Sequence, residues 1–293
     1  MNYRVHHVTR YDYVEPVSIG YNRAHLTPRT CAHQECVQSA LRVDPVPAVV
    51  GQKRADYFGN ESVYFTVQTP HTALEITVES EVCITPMLPP DAAATLPWEE
   101  VCSQVARDRT RTTLEAYQFC FPSRNVPPLP ALADYAAPSF PPGQPLLVGT
   151  VDLMHRIHQE FKYDPEATSV STPLHEVLAN RHGVCQDFAH LQIGCLRALG
   201  LPARYVSGYI LSSSAETEQQ LVGADASHAW LAVYEPNFGW IDVDPTNDML
   251  PSSEHITLAW GRDYDEVSPL RGVILGGGRQ TLTVGVKVTR LDA

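Results

Sequence analysis

Twelve of the 24 prolines in this 293-residue chain lie between Pro86 and Pro145. Proline fixes φ and removes a backbone donor, so neither a long helix nor a central strand can run through such a stretch. The segments on either side of it must therefore be built separately. Upstream, Tyr3, Val5, His7, Thr9, Tyr11 and Tyr13 share one parity, the period-2 signature of a strand with one buried face. Similar runs at 36–43, 62–68 and 73–84 are broken by Pro45, Pro47, Gly51 and the turn Phe58-Gly59-Asn60. This pattern predicts an N-terminal antiparallel β-sandwich-like domain over 1–90.

The proline-rich stretch keeps Leu, Val, Phe and Tyr to bury and has helical candidates at 98–108 and 129–137. It reads as a partly helical connector over 91–145, not a free linker. Beyond it the predicted order is helices at 147–161, 173–179 and 184–199, then strands at 204–211, 228–234, 240–244, 255–260 and 281–290. Helices first and strands afterwards indicate an α+β domain with an antiparallel sheet over 146–293, not alternating βαβ units. Gly276-Gly277-Gly278 reads as a turn before the last strand.

Charge and composition exclude several functions. With 21 Lys+Arg against 33 Asp+Glu the formal net charge is −12, against a nucleic-acid partner. No apolar run reaches membrane-spanning length, and the first residues lack a signal-peptide core, so a soluble cytoplasmic protein is expected. The seven cysteines, at 31, 36, 83, 102, 120, 185 and 195, are odd in number and irregularly spaced, which favours free thiols over a disulfide framework. G-x-S-x-G, H-E-x-x-H and paired C-x₂-C spacings are all missing, so neither a serine hydrolase nor a metal or other cofactor is expected.

One cysteine stands apart. Val184, Phe188, Leu191, Cys195 and Leu199 form an apolar helical stripe, on which Cys195 is a small buried hydrophobe. Cys185 falls beside that stripe, in the first helical turn after Gly183. There the unpaired N–H groups and the positive dipole end favour a thiolate and could hold an oxyanion. A structural cysteine remains the alternative. Of the twelve histidines, His228 begins a strongly patterned strand, sharing parity with Trp230, Ala232 and Tyr234. A turn cluster at 235–239 and a strand carrying Asp242 and Asp244 follow. With a three-residue loop, Tyr234 lies opposite Phe238 and His228 opposite Asp244; a register slipped by two brings Asp242 closer instead. Cys185, His228 and Asp244 would then be nucleophile, base and orienter.

The same residues carry a family resemblance. The runs Arg181–His190, Leu196–Gly208 and Ser227–Trp230, Gly239-Trp240 and Asp244-Pro-Thr-Asn247 resemble the bacterial transglutaminase-like superfamily. The resemblance implies a permuted papain-like core in which the nucleophilic Cys185 opens a helix packed on the sheet that carries His228 and Asp244. His7-Val-Thr-Arg-Tyr11, Leu26-Thr-Pro-Arg29, Asp56-Tyr-Phe-Gly-Asn60 and the tail from Trp260 resemble the β-rich domain and ending of many bacterial members. Animal transglutaminases place a Trp upstream of the Cys, and none lies between Trp98 and Trp230 here; Tyr163 or Gln186 could support the oxyanion, with Tyr163 as core packing the alternative. Trp230 either walls the site or is a core aromatic. Asp187 and His190 could pair on one helix face, and Asp263, Asp265 and Glu266 read as a solvated face, not a calcium loop.

The expected function is a cysteine-dependent acyl-transfer enzyme acting on amide bonds through a thioester, with a peptide or protein amide as substrate. Hydrolysis, as a peptidase or amidohydrolase, is favoured. An amine-transferring transglutaminase, or a binding or scaffold protein with a vestigial triad, are the alternatives.

Overall fold

The computed structural model describes residues 1–166, 172–211 and 227–291. The chain opens on a long strand, β1 (Asn2–Ala24), in which Tyr3, Val5, His7 and Thr9 are buried and Arg4, His6 and Arg10 exposed. The remaining N-terminal strands are β2 (Gln34–Asp44), β3 (Val49–Val50), β4 (Arg54–Ala55), β5 (Glu61–Val67) and β6 (His71–Ile84). Helices α1 (Trp98–Arg107), α2 (Arg111–Tyr117) and α3 (Pro130–Ala136) occupy the proline-rich stretch. Then come α4 (Leu146–Glu160), β7 (Lys162–Tyr163), α5 (Leu174–Asn180), β8 (His182–Gly183) and α6 (Cys185–Ala198). Strands β9 (Ala203–Ile210), β10 (His228–Glu235), β11 (Gly239–Val243) and β12 (His255–Gly261), helix α7 (Tyr264–Val267), β13 (Leu270–Gly276) and β14 (Gln280–Leu291) complete the chain.

The N-terminal strands form one antiparallel sheet of eight strands, a half-barrel, with β1 as its spine. The first half of β1 pairs with β6 on one side and β14 on the other; its second half pairs with β5 and β13. The closing strands, grouped with 146–293 from sequence order, thus hydrogen-bond into the N-terminal sheet. Period-2 alternation says which face of a strand is buried and nothing about which partner it meets. Gly276, Gly277 and Gly278 all have positive φ and make the turn between β13 and β14.

The second sheet has order β11-β10-β9-β12 and packs against α6. An amphipathic α6 is expected from its stripe, but Ala189, His190, Gln192, Ile193, Gly194 and Leu196 are buried along with the stripe. Helices α3, α4 and α5 cover the sides that the sheet leaves open, so α6 is a central helix. At Gly194 a Cβ would sit 2.8 Å from Leu132 of α3, which is how the connector approaches so closely. One apolar cluster joins Tyr3, Val5, Val82, Ile84, Val286 and Val288 to the connector helices, α6 and its sheet.

The outer edge of β12 is sealed by two amide side chains from the N-terminal half. Gln34 accepts from the Thr257 N–H at 2.8 Å and donates to the Thr257 carbonyl at 2.8 Å. Asn60 does the same for Trp260, at 2.9 and 2.8 Å. A free strand edge has unpaired donors and acceptors, and these amides satisfy them as a neighbouring strand would. Arg29 locks the arrangement, donating to Asn60 Oδ1 and the Phe58 carbonyl while lying over the Trp260 ring. The Arg29 and Asn60 motifs thus serve to dock the two halves.

Candidate active site

The site begins where α6 begins. Gly183 precedes it because a Cβ there would lie 2.8 Å from the Asp187 side chain. Val184 is the extended residue before the helix, and Asp187 Oδ2 accepts its N–H at 2.9 Å, fixing the first turn. Cys185 is therefore the first helical residue, partly exposed at the positive end of a buried helix. The neighbouring β7–β8 pair sets Tyr163 opposite Gly183. Its phenol is pushed up to about 12 by burial and by the nearby Cys185 and Asp187 charges, and its ring packs edge-on against Phe188. Gln186 follows in the first helical turn, half-buried.

His228 is the first residue of β10 and Asp244 the residue after β11. The three-residue loop expected from the sequence is present, but it closes on Glu235↔Gly239, with Tyr234 opposite Trp240 instead of Phe238. Asp244 is thus placed across from Trp230 and diagonal to His228, not directly opposite it. The turn is capped by Glu235, whose buried carboxylate accepts the Asn237 and Phe238 N–H groups. That side-chain cap favours closing the loop one pair further along.

His228 Nε2 and Asp244 Oδ2 nevertheless meet at 2.9 Å, both fully buried. The Asp244-Pro-Thr-Asn247 turn explains how a buried carboxylate is tolerated: Oδ1 accepts the N–H groups of Thr246 and Asn247, and Oδ2 accepts Asn247 Nδ2. Burial alone would raise the Asp244 pKa, but the charge and hydrogen bond of His228, and after them those of His255, hold it well below the carboxylate range. Burial likewise opposes charge on His228, yet the Asp244 carboxylate and then the Cys185 thiol outweigh it and raise the imidazole above its ordinary value. Nε2 is spent on Asp244, so Nδ1 is the nitrogen left for the thiol. It makes no hydrogen bond of full geometry, a looseness common in sites without substrate.

Trp230 is fully buried and stacks on His228 with ring centroids 6.0 Å apart. Asp242 lies across from Ala232, away from His228. Two site residues have no warrant in the sequence reading. Tyr205 of β9 is buried beside the Cys185 charge, and burial first, then that charge, keeps its phenol protonated. His255, first residue of β12, puts Nε2 3.0 Å from Asp244 Oδ2. Tyr205 lies inside the Leu196–Gly208 run, whereas nothing local marks His255.

Residues 3–83 match a family described as the bacterial transglutaminase-like N-terminal region, and residues 143–245 the transglutaminase-like superfamily. An uncharacterized protein of Mycobacterium tuberculosis is 42% identical over 279 residues, covering 93% of this chain and 87% of its own. The chain belongs to the transglutaminase-like superfamily. A Pseudomonas aeruginosa protein-glutamine gamma-glutamyltransferase is 31% identical over 133 residues, 44% of this chain and 20% of that protein. In fold, a candidate cysteine protease from Cytophaga hutchinsonii superposes with a TM-score of 0.79 at 22% identity, covering 100% of this chain and 91% of that one.

Within this transglutaminase-like frame, the other thiols are mostly unsuited to chemistry. Burial pushes Cys102 up to about 11 and Cys120 to about 12, and raises Cys195 further. Cys31 is the exception: burial opposes its thiolate, but His33, 3.7 Å away, lowers it overall. His190 accepts the Tyr264 N–H, and its ring lies tilted against Tyr205 with centroids 4.9 Å apart. The acidic cluster is not a solvated face. Asp263 is buried and accepts from the Asn125 and Asp265 N–H groups, while Asp265 and Glu266 pair with Arg124, Arg271 and Arg262. Those partners turn a run of acids into structure.

Among the described residues, His228, Asp244 and His255 bring three side chains able to ligate a metal, one atom each, within 4.8 Å of one another. Those atoms are already matched as two donors on one acceptor. A cation there would have to break both hydrogen bonds and draw His228 away from Cys185. Among the same residues, no helix is long and apolar enough to cross a membrane.

Proposed function

We propose that this protein is a cysteine-dependent acyl-transfer enzyme acting on amide bonds, with Cys185 as nucleophile, His228 as general base and acid, and Asp244 as orienter. The observation that carries the reading is the buried His228–Asp244 pair at 2.9 Å, placed beside a partly exposed thiol at a helix N-terminus. A structural cysteine requires no such partners. In this reading the Cys185 thiolate attacks the amide carbonyl carbon, and the oxyanion is held by the Cys185 N–H, with the Tyr163 phenol or the Gln186 side chain in support. The imidazolium gives its proton to the departing amine as the C–N bond breaks, leaving a thioester on Cys185. Neutral His228 then takes a proton from water, the hydroxide adds to the thioester, and the C–S bond breaks to release the acid and restore the Cys185 thiolate beside the His228 imidazolium. Trp230 serves as the wall that keeps the imidazole in plane.

Hydrolysis is favoured over amine transfer, since water is always at hand and no residue of the site specifies an amine. The similarity to a protein-glutamine gamma-glutamyltransferase keeps amine transfer as the second reading. A panel of glutamine-containing peptides separates the two. Chain cleavage or ammonia release without incorporation of a labelled primary amine supports the hydrolase, whereas stoichiometric amine incorporation supports the transferase. Either activity must vanish in Cys185→Ser. No turnover across the panel, with equal peptide binding by wild type and Cys185→Ser, would point to a binding protein with an idle triad.

A further inference from the structure

We propose that His255 is a positioning residue for this reaction: it fixes Asp244 against His228 from the far side of the sheet. The inference rests on the triad reading above and extends it to a residue from a different strand. His255 Nε2 is 3.0 Å from Asp244 Oδ2, the same oxygen that His228 Nε2 meets at 2.9 Å. Both imidazoles and the carboxylate are buried, so neither contact is exchanged with solvent. Oδ1 is held by the turn, through the Thr246 and Asn247 N–H groups. Rotation about the Oδ1 side would still swing Oδ2 away from His228. His255 and Asn247 Nδ2 bracket that oxygen and oppose the swing.

The placement of His255 is itself constrained. It heads β12 opposite Ile210, and the Trp230 indole packs edge-on against its ring at 4.9 Å, the same indole that stacks on His228. On its outer edge β12 is held by Gln34 and Asn60. The N-terminal half of the chain therefore reaches the triad through three contacts in series: amide clamp, β12, His255. This gives the N-terminal sheet a part in the site without touching substrate.

The test reads the pH dependence of Cys185 alkylation by iodoacetamide, which needs no substrate. The groups facing the thiol–imidazole pair are Tyr163 on β7, Asp187 on α6, Tyr205 on β9, Asp244 after β11 and His255 on β12. A shared hydrogen bond that holds the carboxylate in place has a net worth of about 0.5–1.5 kcal/mol, which converts to about 0.4–1 pH unit. Three variants are compared: His255→Phe fills the space against Trp230 without a donor, His255→Asn keeps an amide that falls short, and His255→Gln keeps one that reaches. The acid limb of the Cys185 rate is expected to move up by that amount in His255→Phe and His255→Asn, and to return in His255→Gln. If His255→Phe does not fold, the Asn–Gln contrast still decides. An unchanged limb, or one that moves down because Asp244 is freed to pull harder on His228, overturns the proposal. Wild type distinguishes this from failure of the triad reading. If its Cys185 lacks a rapid, His228-dependent rate, the triad reading fails; if it has one that His255 variants leave alone, only this inference fails.

Discussion

Gly208 lies mid-strand in β9, with His228 of β10 on one side and Thr257 of β12 on the other. A Cβ at this position would meet the Ile256 carbonyl oxygen and the Trp230 indole, with Trp230 Cζ3 at 2.8 Å. Neither is the loose end of a flexible side chain. The carbonyl belongs to the strand that carries His255, and the ring is locked between two histidines. Gly208→Ala must therefore push β12 and Trp230 outward together. Overpacking a rigid site costs up to ~3 kcal/mol, and two hard contacts place this case at that end. For a chain of this size the melting temperature should fall by roughly 6–12 °C. Gly285 in β14 is the control, since nothing lies within 4 Å of its added Cβ. Gly285→Ala should be neutral or gain up to about 1 kcal/mol through the unfolded chain. Thermal melts followed by circular dichroism compare the three proteins. A Gly208→Ala protein that melts with wild type, or no lower than Gly285→Ala, would refute the packing argument. In the folded fraction at lower temperature, Cys185 labelling should also slow, because the groups displaced are those that hold His228 and His255.

Asn60→Ala removes both clamp bonds to Trp260 and strands a buried N–H, so urea unfolding should show a loss of about 1–3 kcal/mol; no loss would mean the docking lies elsewhere. The buried His228–Asp244 pair should also shape stability against pH. The His228 pKa is raised on folding, so its contribution is full below the ordinary histidine value near 6.5 and fades as pH rises above it. The Asp244 pKa is depressed, so its contribution is full above about 4 and fades as pH falls below. The urea midpoint should therefore decline from pH 6 to pH 9 in wild type and decline less in Asp244→Asn; equal slopes would contradict the assignment. Tyr163→Phe should lower acyl transfer by about 10²-fold if the phenol holds the oxyanion, with Cys185 labelling untouched; full activity would leave Tyr163 as packing.

The sequence shows most of the secondary structure because each element has a local cause. Period 2 marks β1, proline density marks the connector, and Gly183 with the apolar run marks α6. The positions of Cys185 and His228 were legible for a related reason: a thiol in a first helical turn and a histidine beginning a patterned strand are local events. The register of β10 and β11 was not, because loop length alone cannot tell where pairing starts when a buried Glu235 caps the turn. His255 was not, because it reaches Asp244 only through the pairing of β12 with β9. The return of β13 and β14 to β1 was not, since their alternation suits any sheet of the right polarity. Asp263 shows the same limit for charge, because its partners are Asn125, 138 residues upstream, and its own turn.

The central claim is that the Cys185 thiol works with His228, and limiting iodoacetamide tests it directly. Native protein is labelled near neutral pH, and the rate at each of the seven cysteines is read by peptide mapping, in wild type and in His228→Ala. Cys31 is the internal comparison, because its thiolate depends on His33 and not on His228. Cys185 should label faster than Cys102, Cys120 and Cys195, and this rate should collapse in His228→Ala while that of Cys31 holds. A Cys185 rate that is no faster than those three thiols, or that survives the loss of His228, would contradict the claim.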